Sequence, residues 1–281
     1  MPELPEVETL RQAIEPCIVG RKIVDTAVLK QKIIARPQAE TFCSALAGCT
    51  ITAMGRRGKF LTLQMDSGDT VILHLRMTGN LLAAPADWPR EKHTHVVFSL
   101  SDGTQLRYVD SRGFGRFWLQ TAGEQDDFSG MAKLGPEPFD PTFTAGYLQK
   151  SQQNRRRPIK ECLLDQSVVA GIGNIYADEI LFAAGICPTS PASTLRPKDW
   201  RAIAALTPQI LQQGISYKRR TARQHLEGTG KKYSEEVFLQ AYGRAGQPCT
   251  RCGTPIERTV IGGRSSCYCP HCQPVPGRPK K

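Results

Sequence analysis

The stretch from Phe60 to Met77 reads FLTLQMDSGDTVILHLRM. Leu61, Leu63 and Met65 alternate with Thr62 and Gln64, and Val71, Leu73, Leu75 and Met77 alternate with Ile72, His74 and Arg76. A period of two sends successive side chains to opposite faces, which is the pattern of a strand with one face in a core. Asp66-Ser67-Gly68-Asp69 between the two runs is a hairpin turn. Ser101-Asp102-Gly103-Thr104 joins Val96–Leu100 to Gln105–Val109 in the same way. Short strands at such spacing predict a β-sandwich, here over residues 1–133.

On its N-terminal side the pattern changes to helix. Leu4, Val7, Leu10 and Ile14 recur at helical spacing, and Pro16 is expected to end the run. On the C-terminal side, LGPEPFDP (134–141) opens a proline-rich linker over 134–146. Helices are expected at 159–165, 175–184 and 200–213, within a helical domain over 147–240. The polar, basic, glycine-containing segment 214–236 reads as a mobile loop. A cysteine module follows at 241–273, and the Pro/Lys tail 274–281 is expected to be disordered. The fold class is therefore α+β. A chain of 281 residues with 40% hydrophobic content is long enough for two domains with real cores. It contains no run of eighteen apolar residues, and its start is too acidic and proline-rich for an export segment.

Charge is lopsided. The chain holds 37 Lys+Arg against 26 Asp+Glu, a net +11. Residues 1–145 carry 16 basic and 17 acidic side chains, whereas 146–281 carry 21 and 9. An excess confined to one half reads either as a solvated basic surface or as the footprint of a polyanion, and without an amphipathic membrane helix nucleic acid is the favoured partner. Four of the ten cysteines form Cys249-x2-Cys252 and Cys269-x2-Cys272, separated by sixteen residues. Two such tight turns supply four thiolates to one tetrahedral zinc ion, and four protein ligands make that ion structural. The other six cysteines are scattered, which with a start too acidic and proline-rich for export argues against a disulfide framework and for a cytoplasmic protein. Gly262-Gly263 between β-prone residues reads as a hairpin tip, with Arg264 just beyond it. That arginine suits a phosphate or a groove, and equally an ordinary surface position.

Two further segments carry chemistry. Removal of Met1 would leave Pro2 as a secondary amine, able to attack an aldehyde-like C1′ and form an iminium, with Glu3 moving protons and Glu6 one turn on. The same residues also read as a plain proline-rich helix start. Gly171-Ile172-Gly173 resembles a dinucleotide fingerprint, but Tyr176 stands where a third glycine belongs and no βαβ unit surrounds it. A tight turn opening a helix, whose free N–H groups with Asn174 hold a phosphate, fits better. Met77, Arg112 and Phe114 lie near glycines at strand ends, where they suit either insertion into a base stack or an ordinary core. His74, His93 and the cluster Arg56-Arg57-Gly58-Lys59 are ambiguous taken singly.

Taken together, the motifs MPELPEVETL (1–10), RRGKFL (56–61), HLRMTG (74–79), EKHTHV (91–96), DSRGFG (110–115), LGPEP (134–138), VVAGIGNIYADEILFAAGICP (168–188), AYGRAGQPCTRCGTPI (241–256) and GGRSSCYCPHCQ (262–273) resemble the bacterial formamidopyrimidine-DNA glycosylases over nearly the whole chain. The resemblance implies a helix–two-turn–helix element in the helical domain and a zinc-ribbon hairpin behind it. It implies an enzyme that excises oxidised purines (8-oxoguanine and formamidopyrimidines) from duplex DNA, then cuts the strand by β,δ-elimination. Pro2 would be the nucleophile, with Glu3, Glu6, Lys59 and Arg264 completing the catalytic set. His74, Met77, His93, Arg112, Phe114, Asn174 and Tyr176 would contact DNA, and one zinc ion would sit on Cys249, Cys252, Cys269 and Cys272. Damaged double-stranded DNA would be the partner of a monomer that needs no nucleotide cofactor and works at the bacterial nucleoid. The start MPELPE, rather than MPEGPE, favours this branch over the endonuclease VIII-like enzymes with their oxidised-pyrimidine preference. A zinc-ribbon DNA-binding protein without catalysis is the non-enzyme alternative. Two departures stand out: Gly113 replaces a second basic residue, and 214–232 matches the family's lesion-capping loop poorly.

Overall fold

A computed structural model describes residues 1–226 and 239–275. Their backbone falls into two units, Met1–Pro2 with Glu6–Ala132, and Glu3–Pro5 with the chain from Lys133 onward. The first unit holds α1 (Leu4–Ile18, from Glu6), β1 (Ile23–Val28), β2 (Ile34–Arg36), α2 (Ala39–Leu46), β3 (Ile51–Arg57), β4 (Phe60–Met65), β5 (Thr70–His74), β6 (Gly79–Pro85), β7 (Thr94–Leu100), β8 (Thr104–Asp110) and β9 (Arg116–Gln120). They form a four-stranded sheet ordered β1-β7-β8-β6 and a five-stranded sheet ordered β2-β9-β5-β4-β3. The expected hairpin is present: β4 and β5 pair antiparallel with Leu61 opposite Leu73 and Leu63 opposite Val71. Both sheets and both helices bury apolar side chains in one core, including Val7, Ile18, Phe42, Leu61, Leu63, Phe98, Tyr108 and Phe117. Each fully buried large apolar side chain contributes about 1.5–3 kcal/mol.

Pro16 does not end the first helix, which runs to Ile18. Pro16 lies on the exposed face, so it removes one hydrogen bond at a solvated position, while Ile18 beyond it is fully buried and holds the last turn down.

The second unit holds α3 (Ala145–Gln152), α4 (Ile159–Leu164), α5 (Asn174–Ala184), α6 (Pro197–Leu226), β10 (Glu257–Ile261) and β11 (Arg264–Tyr268). Its core gathers Leu4, Leu148, Ile159, Tyr176, Ile180, Trp200 and Leu211. The proline-rich start of the linker is docked: Gly135 N–H donates to the Gln166 carbonyl at 2.8 Å, and Ala170 N–H to that of Pro136 at 3.0 Å. The expected loop from 214 is, as far as Leu226, the continuation of α6. Gly214 is there for close packing, since a Cβ would lie 2.5 Å from the Tyr176 hydroxyl, and Ile215 behind it is buried. Residues 227–236 of that loop, and 276–281 of the expected disordered tail, lie outside the described residues. No described helix is long and apolar enough to cross a membrane.

Candidate functional site

The chain start is held by the turn between α4 and α5. Leu4 N–H donates to the Gly171 carbonyl at 3.0 Å. The buried carboxylate of Glu3 accepts from the N–H groups of Gly173 and Ile175 at 2.9 Å and Tyr176 at 3.2 Å. These are the unsatisfied donors of the α5 N-terminus, where a negative group is favoured. These three are therefore taken by Glu3, where the sequence suggested a phosphate. The Gly-x-Gly motif has its reason here: a Cβ on Gly171 would meet the Leu4 side chain, and one on Gly173 would collide with the Glu3 carboxylate. Pro2 and Glu6, on either side, are half-buried. Tyr176, expected among the DNA contacts, is 1% exposed within the helical core.

In the sandwich unit, Lys59 and His74 come together. Lys59 follows the positive-φ Gly58 in the β3–β4 turn, and Arg56 holds that turn by donating to the Gly58 carbonyl at 3.0 Å. Phe60, next to Lys59, pairs with His74 across the hairpin, and their rings meet edge-on at 4.6 Å. His74 is buried. Its Nδ1 accepts the Arg76 N–H at 3.0 Å, which leaves the proton on Nε2. Burial first, then the charges of Arg76 and Lys59, push its pKa down to about 3. The ring is thus a neutral N–H donor. Arg76 and His93 are the two non-glycine residues of positive φ among those described, and His93 is exposed. Such backbone strain gathers where a loop must aim a side chain.

Met77 and Phe114 are exposed rather than core residues, and the exposed Arg112 places its guanidinium 4.7 Å over the Phe114 ring. At Gly113 (φ +62°) a Cβ would collide with the Lys30 ammonium, which lies over the position where the second basic residue is missing. Both Asp110, which organises this loop, and Lys30 escaped the sequence reading. An Asp ahead of a glycine-containing turn is a local acceptor signal, but nothing local marks Lys30.

In the second unit, Ile261 pairs with Arg264 around Gly262 and Gly263, both of positive φ, as a two-residue turn requires. Arg264 is exposed at this tip. Asn174, expected at a phosphate, donates one N–H of its Nδ2 to the Ser265 carbonyl at 3.0 Å. Lys160, also absent from the sequence reading, donates to the same carbonyl at 3.0 Å and to Asp178 at 2.7 Å. Behind the hairpin, the sulfur atoms of Cys249, Cys252, Cys269 and Cys272 lie within 4.8 Å of one another. Three of their separations are 3.5, 3.5 and 4.0 Å. Tetrahedral zinc with Zn–S near 2.3 Å needs about 3.8 Å between sulfurs, so the cluster fits the ion. The N–H groups of Arg251 and Cys272 point at Cys249 and Cys269 Sγ, at 3.4 and 3.3 Å, and support thiolates.

A sandwich with an exposed apolar and cationic loop, a helical unit built on a glycine turn and a zinc-holding hairpin define a modular nucleic-acid-binding protein. Family models match all three parts: the formamidopyrimidine-DNA glycosylase N-terminal domain over 1–117, that family's H2TH domain over 134–225, and the zinc finger found in FPG and IleRS over 246–275. The chain belongs to the formamidopyrimidine-DNA glycosylase family. A formamidopyrimidine-DNA glycosylase of Moorella thermoacetica is 47% identical over 92% of this chain and 94% of its own. One of Pelotomaculum thermopropionicum is 43% identical over 98% and 100%. The structure of the Lactococcus lactis FPG in complex with FAPY-dG containing DNA matches with a TM-score of 0.87 at 34% identity, covering 97% of this chain and 100% of that one.

Proposed function

We propose that this chain excises oxidised purines from duplex DNA and cleaves the strand at the abasic site, with Pro2 as nucleophile. The observation that carries the reading is the capture of the Glu3 carboxylate by three N–H groups of the α5 turn, which fixes the residue next to Pro2 on a rigid element. A duplex hides C1′, so the damaged nucleotide must leave the stack. Met77, Arg112 and Phe114 fill the gap it leaves. Lys59, His93 and Arg264, with the Nε2–H of His74, hold phosphates, and Asn174 sets the hairpin that carries Arg264. Once Met1 is removed, the Pro2 nitrogen attacks C1′, the glycosidic bond breaks, and the base departs with a proton that Glu3 handles and Glu6 supports. The nitrogen lone pair then opens the sugar ring at C1′–O4′, O4′ takes up a proton, and the iminium so formed acidifies C2′–H. Loss of that proton expels the 3′ phosphate, and a second elimination expels the 5′ phosphate. Cys249, Cys252, Cys269 and Cys272 would hold one zinc ion, which would shape the hairpin and, with four protein ligands, leave no open position for catalysis. Duplex DNA as substrate puts the protein's work on the bacterial chromosome.

Borohydride reduction tests this. With a duplex containing 8-oxoguanine opposite cytosine, wild-type protein gives a covalent protein–DNA band, and Pro2→Gly gives none. A gel shift with no trapped band would favour a DNA-binding protein without catalysis. An adduct mapped by mass spectrometry to a lysine would overturn the assignment to Pro2.

A further inference from the structure

We propose that Asp110 is a positioning residue for base eversion: its carboxylate fastens the turn carrying Met77 to the loop carrying Arg112 and Phe114, so that three side chains enter the stack as one rigid wedge. The inference rests on the function proposed above. Asp110 ends β8 and is fully buried. Its Oδ1 accepts from the Thr78 hydroxyl at 2.5 Å and the Arg112 N–H at 3.1 Å. Its Oδ2 accepts from the Tyr108 hydroxyl at 3.0 Å, the Phe114 N–H at 2.8 Å and the Gly115 N–H at 2.9 Å. Thr78 Oγ1 also accepts from the Arg112 N–H at 3.2 Å, so one hydroxyl bridges the two loops directly.

A buried anion persists only where donors fill its lone pairs. Burial would raise this carboxyl's pKa, but the hydrogen bonds from Thr78, Gly115 and Tyr108 outweigh it and hold the group at about 2, ionised at any working pH. The assembly is anchored to the core through Tyr108, whose ring packs edge-on to Phe117 at 5.0 Å. It also explains two glycines, since a Cβ on Gly79 or Gly115 would collide with the Tyr108 hydroxyl. Met77 and Phe114 stand 41% and 48% exposed on this frame. An apolar side chain held in water by a preordered backbone enters a base stack without the cost of ordering its loop at that moment.

The test compares wild type, Asp110→Asn and Thr78→Val on two substrates. The first is duplex DNA with 8-oxoguanine opposite cytosine, read by single-turnover excision and by fluorescence of an adjacent 2-aminopurine. The second is a single-stranded oligonucleotide with a preformed abasic site, read by borohydride trapping; it has no stack to open. Asn at position 110 turns an NH2 group toward N–H donors. Duplex excision and the 2-aminopurine signal should fall about ten- to a hundredfold in Asp110→Asn, and about three- to tenfold in Thr78→Val. Trapping on the single strand should stay within about twofold of wild type for both, because the wedge is not used there. Equal losses on both substrates would show a general folding role and overturn the proposal, as would duplex excision at the wild-type rate. If Asp110→Asn does not fold, Thr78→Val decides by the same comparison. Wild-type protein that trapped no abasic strand would overturn the proposed function itself, and the positioning role with it.

Discussion

His74 is a titratable ring turned into a fixed donor by its place at a strand end. It is 8% exposed, stacked edge-on against Phe60, and its Nδ1 is committed to the Arg76 N–H. With the folded pKa lowered from 6.5 to about 3, the unfolded chain binds a proton between those values that the folded chain does not. Stability contributed by the neutral ring is therefore complete above pH 6.5 and declines as the pH falls, by up to about 1.4 kcal/mol per pH unit. Asp110, with its pKa lowered to about 2, gives up its own contribution only at more acidic pH, while Asp178, raised to about 6, works in the opposite sense over part of the same range, so the histidine's share is the difference between two proteins that both keep Asp178. Urea unfolding of wild type and His74→Gln at several pH values from neutral to about 4 should show a decline in the wild type that the variant lacks. Parallel slopes would mean that the imidazole is protonated in the folded protein.

Among the elements, α5 joins most of the second unit. Its Asp178 and the Lys160 of α4 form an ion pair at 2.7 Å with both side chains fully buried. Burial pushes the Lys160 pKa down and the Asp178 pKa up, each toward neutrality and against the pair's attraction. The same groups hold β11, through the Ser265 carbonyl on Lys160 at 3.0 Å and the Cys267 N–H on Asp178 at 3.0 Å. The next residue, Glu179, accepts three N–H groups of 240–242, each at 2.9 Å. Lys160→Met should thus destabilise the protein by about 3–5 kcal/mol, because it strands a buried carboxylate. Lys160→Met with Asp178→Leu should recover most of that loss, as thermal unfolding would register. A double variant no more stable than the single one would mean that the pair is worth more than its desolvation cost. Apolar periodicity alone revealed α5, expected at 175–184 and found at Asn174–Ala184. The meaning of its two acids was hidden because, apart from Lys160 at 18 residues, their partners lie 61 to 89 residues away. Gly214 misled for a related reason. A glycine beside basic residues looks like a breaker, and only its fit against Tyr176 reveals a helix interior.

For the whole molecule, what could be read in advance was what the chain writes locally. Alternation gave the sandwich hairpins, and two Cys-x2-Cys turns gave the zinc cluster now seen within 4.8 Å. What holds Glu3 in place could not be read, since its donors are 170 to 173 residues away. Charge belongs to this scale too. The whole positive excess lies after residue 145, in the unit with Arg264, while the balanced first half supplies Lys59. Each phosphate neutralised releases counterions and adds about 0.9 to the slope of log affinity against log salt. Lys59→Ala and Arg264→Ala should therefore weaken binding to an abasic-site duplex and flatten that slope, each by about 0.9. Met77→Ala removes an uncharged side chain, which in the proposed function acts inside the stack, so it should weaken binding with the slope unchanged. Fluorescence anisotropy from about 50 to 200 mM KCl measures all three against wild type. If the arginine and lysine variants kept the wild-type slope while losing affinity, those side chains would be working on something other than the phosphate backbone.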